Sequence, residues 1–167
     1  MLRIDLAAVR EGPVAVAAEL APADPLLAGA GITLAAPLKV SGRLSAAGEG
    51  KFYWQAKLET VIRGECRRCL APVDVPLSQA LGVVFVAEEE ADGDEDCYVV
   101  PRRAAAVDLS GAVREELLLA VPQYVECRPD CRGLCPACGA DLNAGPCGCS
   151  KPMDPRWEAL TKLPRGE

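Results

Sequence analysis

Leu38-Lys39-Val40-Ser41-Gly42-Arg43-Leu44-Ser45 runs into the turn Ala47-Gly48-Glu49-Gly50 and then into Phe52-Tyr53-Trp54-Gln55-Ala56-Lys57-Leu58-Glu59-Thr60-Val61-Ile62-Arg63. Apolar and polar residues alternate on both sides of the turn. Leu38, Val40, Gly42 and Leu44 share a face on one arm. Phe52, Trp54, Ala56, Leu58, Thr60 and Ile62 share it on the other, with Tyr53, Gln55, Lys57, Glu59 and Arg63 opposite. Period two over this length predicts a β-hairpin with one face buried. Phe52, Tyr53 and Trp54 are therefore expected to pack the sheet and not to stack bases.

The same style continues outward. Val73, Val75 and Leu77 extend the alternation, Gly82 to Ala87 is a nearly continuous apolar strand, and Cys97 to Val100 is a brief one. Upstream, Arg3 to Val9 and Val14 to Leu20 read as short strands split by Gly12-Pro13. Ala21 to Gly31, with two Pro and two Gly, reads as a loop. A helix is expected over about 108–121. Asp108 or Ser110 can cap it, Leu109, Val113, Leu117 and Ala120 recur at helical spacing, and Pro122 ends it. A last short helix is expected over Asp154 to Leu163, where Asp154-Pro155 sets a cap before a first-turn proline. The expected fold class is α+β: an antiparallel sheet, open or barrel-like, with one packing helix and a Cys-rich zinc-binding C-terminal arm. Residues 1–125 form the α+β body and 126–167 the arm with its helix.

The chain has 167 residues, of which half are apolar, a quarter charged and only 4% aromatic. The core must then be built of Val, Leu and Ala. His is absent, which excludes a Ser-His-Asp triad, a Cys-His dyad and any His-ligated metal. The formal charge of -6 argues against a generally basic nucleic-acid binder. Glu88, Glu89, Glu90, Asp92, Asp94, Glu95 and Asp96 hold seven acids in nine residues, and removing them from -6 leaves +1, so a local basic patch has room to exist. The acidic run itself reads as a solvated loop, because the glycine and ligand spacing of a Ca²⁺ loop is missing. No stretch is long or apolar enough to span a bilayer, and Met1-Leu2-Arg3-Ile4-Asp5 lacks the order of a signal peptide. A cytosolic protein is expected. Thiols are kept reduced there, so abundant Cys points to metal and not to disulfides.

Nine Cys are present, spaced Cys66-x2-Cys69 and Cys127-x3-Cys131-x3-Cys135-x2-Cys138-x8-Cys147-x-Cys149, with Cys97 apart as a small apolar strand residue. Glu126 to Lys151 holds six Cys, three Pro and four Gly in twenty-six residues. Such a segment buries too little apolar surface to offset its ordering entropy and needs a staple. Four thiolates complete one tetrahedral zinc site. Cys135-Pro136-Ala137-Cys138-Gly139 has the form of a zinc knuckle, and Cys66-Arg67-Arg68-Cys69 is a second. Short loops close at lower entropic cost than long ones. Cys135, Cys138, Cys147 and Cys149 are therefore grouped as one site, leaving Cys66 and Cys69 to meet Cys127 and Cys131. The alternative pairs the two knuckles in one zinc ribbon, so one or two structural Zn²⁺ are expected. Iron–sulfur ligation uses the same thiolates, and a CxxC dithiol could do redox work, although no βαβ context surrounds Cys66.

A four-thiolate zinc has no open position for water or substrate, and neither a phosphate loop nor another catalytic constellation is present. No enzyme and no small-molecule substrate are expected. Each Zn²⁺ with four thiolates carries -2, so two sites would take the chain from -6 to -10. Arg67, Arg68, Arg128, Arg132 and Lys151 lie within a few residues of a ligand, and Arg156, Lys162 and Arg165 extend the group. Their simplest role is to compensate the thiolates; together they are also the one plausible nucleic-acid face.

At these residues the chain resembles the YceD family, the large ribosomal RNA subunit accumulation proteins. Gly64-Glu65-Cys66-Arg67-Arg68-Cys69-Leu70 is similar to that family's CxRCL segment. Cys131-Arg132-Gly133-Leu134-Cys135-Pro136-Ala137-Cys138-Gly139-Ala140-Asp141-Leu142-Asn143 resembles its second signature, followed by Cys147-Gly148-Cys149 and Asp154-Pro155-Arg156. Asp108-Leu109 leading to Glu115-Glu116-Leu117-Leu118-Leu119 is similar too. The likeness runs from about Val40 to Leu163; residues before Leu38 share only general character, and the acidic loop is a departure. The resemblance implies a bacterial cytosolic protein needed for normal levels of 23S ribosomal RNA, acting in large-subunit assembly or precursor processing. It supplies no reaction. Some members lack part of the C-terminal Cys set, which implies that the second site is dispensable to the common function. The expectation is thus a non-enzymatic, zinc-stabilised factor that binds ribosomal RNA or a ribosomal protein, with a CxxC redox or metal-handling protein as the alternative.

Overall fold

The computed structural model describes residues 2–88, 97–101, 103–149 and 156. The expected C-terminal helix over Asp154 to Leu163, most of the acidic run and Lys151 lie outside the described residues. In order, the elements are β1 (Arg3–Asp5), α1 (Leu6–Glu11), β2 (Val14–Leu20), a 3-10 turn (Pro25–Leu27), β3 (Thr33–Leu34), β4 (Leu38–Gly48), β5 (Lys51–Glu65), β6 (Pro72–Ala87), β7 (Cys97–Val100), β8 (Ala106–Asp108) and α2 (Ser110–Ala120).

The central hairpin is β4–β5, in register from Lys39 opposite Glu59 to Ala46 opposite Phe52. Along β5, burial alternates as the sequence pattern requires: Phe52, Trp54, Ala56, Leu58, Thr60 and Ile62 are buried, and their neighbours face out. β6 pairs with the whole of β5, from Lys51 opposite Val86 to Glu65 opposite Pro72. The two apolar runs expected there are one sixteen-residue strand. The strand order is β2-β4-β5-β6-β7, with β3 added to the end of β5. β7 joins β6 in parallel; every other ladder of this sheet is antiparallel.

The sheet is open, which corrects the barrel-like alternative. β2 and β7 end it on either side and do not pair with each other among the described residues. Its apolar face is covered by helices, not by closure on itself. α1 packs on β4, and α2 packs on β6 and on the 3-10 turn. Leu6, Val9, Leu109, Ala112, Val113 and Leu117 join Leu38, Val40, Leu44, Trp54, Leu58 and Phe85 in one core.

The first apolar run does not remain a strand to Val9. It divides at Asp5, whose carboxylate accepts the N–H of Ala7 at 2.8 Å and caps α1. Leu6 and Val9, three residues apart, then fall on one buried helix face. Short runs of this kind fit either period, and the cap decides here. β1 pairs with β8, and Asp108 accepts the N–H of Ser110 at 2.9 Å as α2 begins, two residues inside the expected start. Among the described residues no helix is long and apolar enough to cross a membrane.

Candidate metal centres

The first knuckle is the β5–β6 connection itself. β5 ends at Glu65, Cys66 to Leu70 make the turn, and β6 begins at Pro72. Within the turn, the N–H of Leu70 donates to the carbonyl of Cys66 and the N–H of Cys66 donates to the carbonyl of Ala71, each at 2.8 Å. The second knuckle repeats this. The N–H of Gly139 donates to the carbonyl of Cys135 and the N–H of Cys135 to the carbonyl of Ala140, again at 2.8 Å. The N–H of Ala137 points at the Sγ of Cys135 at 3.4 Å. Such turns surround the leading sulfur with N–H dipoles, which favours its anionic form.

The eight sulfurs converge in two sets of four, Cys66/Cys69/Cys127/Cys131 and Cys135/Cys138/Cys147/Cys149, each with its sulfurs within 4.8 Å of one another. Cys66 and Cys131 are 3.9 Å apart, and Cys69 and Cys127 are 3.7 Å apart. Zn–S bonds of about 2.3 Å at tetrahedral angles place sulfurs roughly 3.8 Å apart, so the spacing fits one tetrahedral ion. An iron–sulfur cubane places each thiolate on a different iron and spreads the sulfurs further. Both sets could hold a metal ion.

Electrostatics make the same point. The Cys66 thiol is drawn down to about 6, first by the backbone N–H of Cys127 and then by those of Cys69 and Arg68. Cys135 is drawn down to about 6 by the backbone N–H groups of Ala137 and Cys138. The last sulfurs to ionise go the other way. Loss of solvent, then the neighbouring sulfurs, push Cys127 up to about 12. Cys138 and Cys147 push Cys149 up to about 11. Four sulfurs this close do not all ionise unless a cation sits among them. A Zn²⁺ bound there would supply that charge and a closed four-thiolate shell with no open coordination position.

The remaining residues lock the two sets to each other and to the sheet. The N–H of Arg67 donates to the carbonyl of Val125 at 2.8 Å, and the N–H of Leu134 to the carbonyl of Arg68 at 2.9 Å. Gly133 passes so close that a Cβ there would lie 2.8 Å from the Arg68 carbonyl oxygen, and its φ of +73° suits glycine. Asn143, from the loop between Cys138 and Cys147, reaches the first set. Its Nδ2 donates to Cys131 Sγ at 3.6 Å, and its Oδ1 accepts the Arg132 N–H at 2.8 Å and an Arg128 guanidinium N–H at 2.9 Å.

Arg67, Arg68 and Arg128 gather around the first set, whereas Arg132 lines a recess with Cys135, Cys147 and Cys149 of the second. Arg67 and Arg68 both pair with Glu126, at 2.7 and 3.2 Å. Arg68 also donates to the carbonyls of Pro129 and Cys131 at 3.3 and 3.0 Å. Arg128 pairs with Asp130 at 3.4 Å. Arg132 and Arg156 are exposed. Glu126 and the linking role of Asn143 carry no signal in the sequence, because both act across turns whose geometry is tertiary.

A family model described as "Large ribosomal RNA subunit accumulation protein YceD" matches residues 54–164, a range that contains both sulfur sets. An uncharacterized Mycobacterium tuberculosis (strain ATCC 25618 / H37Rv) protein is 36% identical over 105 residues, which is 60% of this chain and 49% of that protein. An uncharacterized Mycobacterium leprae protein is 32% identical over 108 residues, 59% of this chain and 46% of its own. A Zea mays protein named "Large ribosomal RNA subunit accumulation protein YCED homolog 1, chloroplastic" is 27% identical over 123 residues, 56% of this chain and 42% of its own. The chain thus spans about half the length, or less, of the curated relatives it matches. No solved structure matches.

Proposed function

Since the chain belongs to the YceD family, we propose that it is a non-enzymatic, zinc-stabilised factor that supports accumulation of large-subunit ribosomal RNA. It acts in assembly or precursor processing by binding ribosomal RNA or a ribosomal protein. Cys66, Cys69, Cys127 and Cys131 hold one Zn²⁺; Cys135, Cys138, Cys147 and Cys149 hold the other. The arm over residues 126–167 is an appendage that the metals fasten to the body over residues 1–125. The family name and that of the maize relative supply the pathway. The observation that carries the reading is the convergence of eight sulfurs in two closed sets inside the matched region. A redox dithiol would need two sulfurs facing each other and open to a partner; here each CxxC turn faces two further sulfurs.

The test is genetic and chemical together. In the native host, loss of the protein lowers mature large-subunit ribosomal RNA relative to the small subunit. The wild-type chain restores it, and a chain with Cys66→Ser and Cys131→Ser does not. Purified wild-type protein carries about two zinc per chain. Normal ribosomal RNA in the deletion strain, or protein purified with no zinc and fully reactive thiols, would end the proposal.

A further inference from the structure

The two knuckles are one device built twice, and they differ at the residue that closes the turn. Both closing residues donate their N–H to the leading Cys carbonyl at 2.8 Å, and both adopt left-handed backbone: Gly139 at φ +73° and Leu70 at φ +59°. Leu70 is the single non-glycine residue of positive φ among the described residues. A Cβ makes that conformation costly, and glycine would close the turn without strain. Burial does not offset the strain, because Leu70 is 59% exposed. Among the described residues the side chain thus finds little packing that explains it, and strain of this kind gathers where a side chain serves a binding surface.

A second large exposed residue stands beside the same turn. Tyr124 is 71% exposed, and the Arg67 guanidinium lies over its ring, Cζ 5.5 Å from the centroid. The bond from Arg67 N–H to the Val125 carbonyl holds the Tyr124 segment against the knuckle. We propose that Leu70 and Tyr124 form an apolar docking patch for a basic protein, a Lys/Arg-rich polypeptide that offers an apolar anchor. This rests on the proposed function and names its partner class.

Charge decides between protein and RNA at this face. A phosphate needs a guanidinium fork that is free to turn outward. Arg67 and Arg68 are instead shared by Glu126, and Arg68 is also bound to the carbonyls of Pro129 and Cys131. Glu65, Glu126, Asp130 and Asp141 cancel Arg67, Arg68, Arg128 and Arg132 in net charge, and the four thiolates around a divalent ion leave -2. That field attracts a basic polypeptide and repels a phosphate backbone. An exposed Tyr and an aliphatic side chain within a charged surround have the make-up of a protein interface core.

The test uses the full zinc-loaded chain, immobilised, with two probes from large ribosomal subunits: the RNA-free total protein and the protein-free ribosomal RNA. Bound proteins are identified by mass spectrometry, and each one identified is then titrated. The expected result is retention of a defined basic protein, with an affinity that falls at least tenfold in Leu70→Gly and in Tyr124→Ser. Leu70→Gly should keep two zinc and melt no lower than wild type, because glycine relieves the turn; Leu70→Asn, which also tolerates this backbone, serves as the second variant. Unchanged affinity in these variants overturns the patch, and so does zinc loss in both Leu70 variants. Salt-sensitive RNA binding that depends on Leu70 and Tyr124 replaces it with an RNA platform, and a dimer that these substitutions dissociate replaces it with self-association. RNA binding indifferent to both residues overturns the patch and leaves the proposed function standing. Retention of neither probe overturns both.

Discussion

Asn143 donates its Nδ2 N–H to the Sγ of Cys131 across 3.6 Å, although Cys131 belongs to the first sulfur set and Asn143 lies in the loop between Cys138 and Cys147 of the second. Asn143 is held by Asp141, whose Oδ1 accepts its backbone N–H and an Nδ2 N–H, and by the Arg132 backbone and Arg128 guanidinium donors on its own Oδ1. A bond of this type steadies a ligand and stabilises its thiolate form. The loop that closes the second set thereby supports the first.

Asn143→Ala should release metal from the first set faster. Second-layer partners of metal ligands typically change affinity by about 10- to 100-fold. Competition with a chromophoric chelator should show one of the two ions leaving early, with the other unchanged. Release at the wild-type rate would show that the contact carries no weight.

Gly133→Ala should loosen the link between the two knuckles. The new Cβ would meet the Arg68 carbonyl at 2.8 Å, in a backbone conformation that disfavours side chains. A cost of about 1–3 kcal/mol is expected, from overpacking and strain together. Hydrogen exchange at the Leu134 amide, which donates to that carbonyl, should rise.

Metal uptake should expel protons and weaken as pH falls. In the metal-free chain at pH 7, Cys127 and Cys149 are raised to about 12 and 11 and are thiols, so each set should release at least one proton on binding. Cys66 and Cys135, lowered to about 6, are mostly thiolates at pH 7 and take up protons only as pH drops through about 6. Affinity should thus decline steadily below pH 7 and more steeply below about 6. Calorimetry in two buffers of different ionisation enthalpy counts the protons.

Cys135→Ser and Cys66→Ser should each lose one zinc of two, with different consequences. The first leaves the β5–β6 turn held, so amides 66–71 stay protected. The second frees the turn and the arm together. The sheet should survive both, since Trp54, Leu58 and Leu117 are fully buried away from the sulfurs. Elemental analysis with hydrogen exchange reads both effects. Collapse of β5 protection in Cys66→Ser would show that the body depends on the metal.

What the amino-acid order determined is whatever is local or set by loop length. The alternation from Leu38 to Ile62 is a period-two signal, and the buried face follows it residue by residue. Leu109 at the N-cap and Val113 and Leu117 on α2 are likewise buried together. The two sulfur sets follow from loop-closure entropy, which depends on separation along the chain. Tertiary structure decided what separation cannot encode. A capped turn of helix replaced the end of the first expected strand, because Asp5 found the Ala7 amide. The sheet stayed open because helices cover its apolar face, a choice made by packing between distant elements. The left-handed Leu70, the Glu126 clamp on two arginines and the reach of Asn143 to Cys131 exist only once the arm lies against the β5–β6 turn. Short-range patterns carry no record of contacts between segments that meet only after folding.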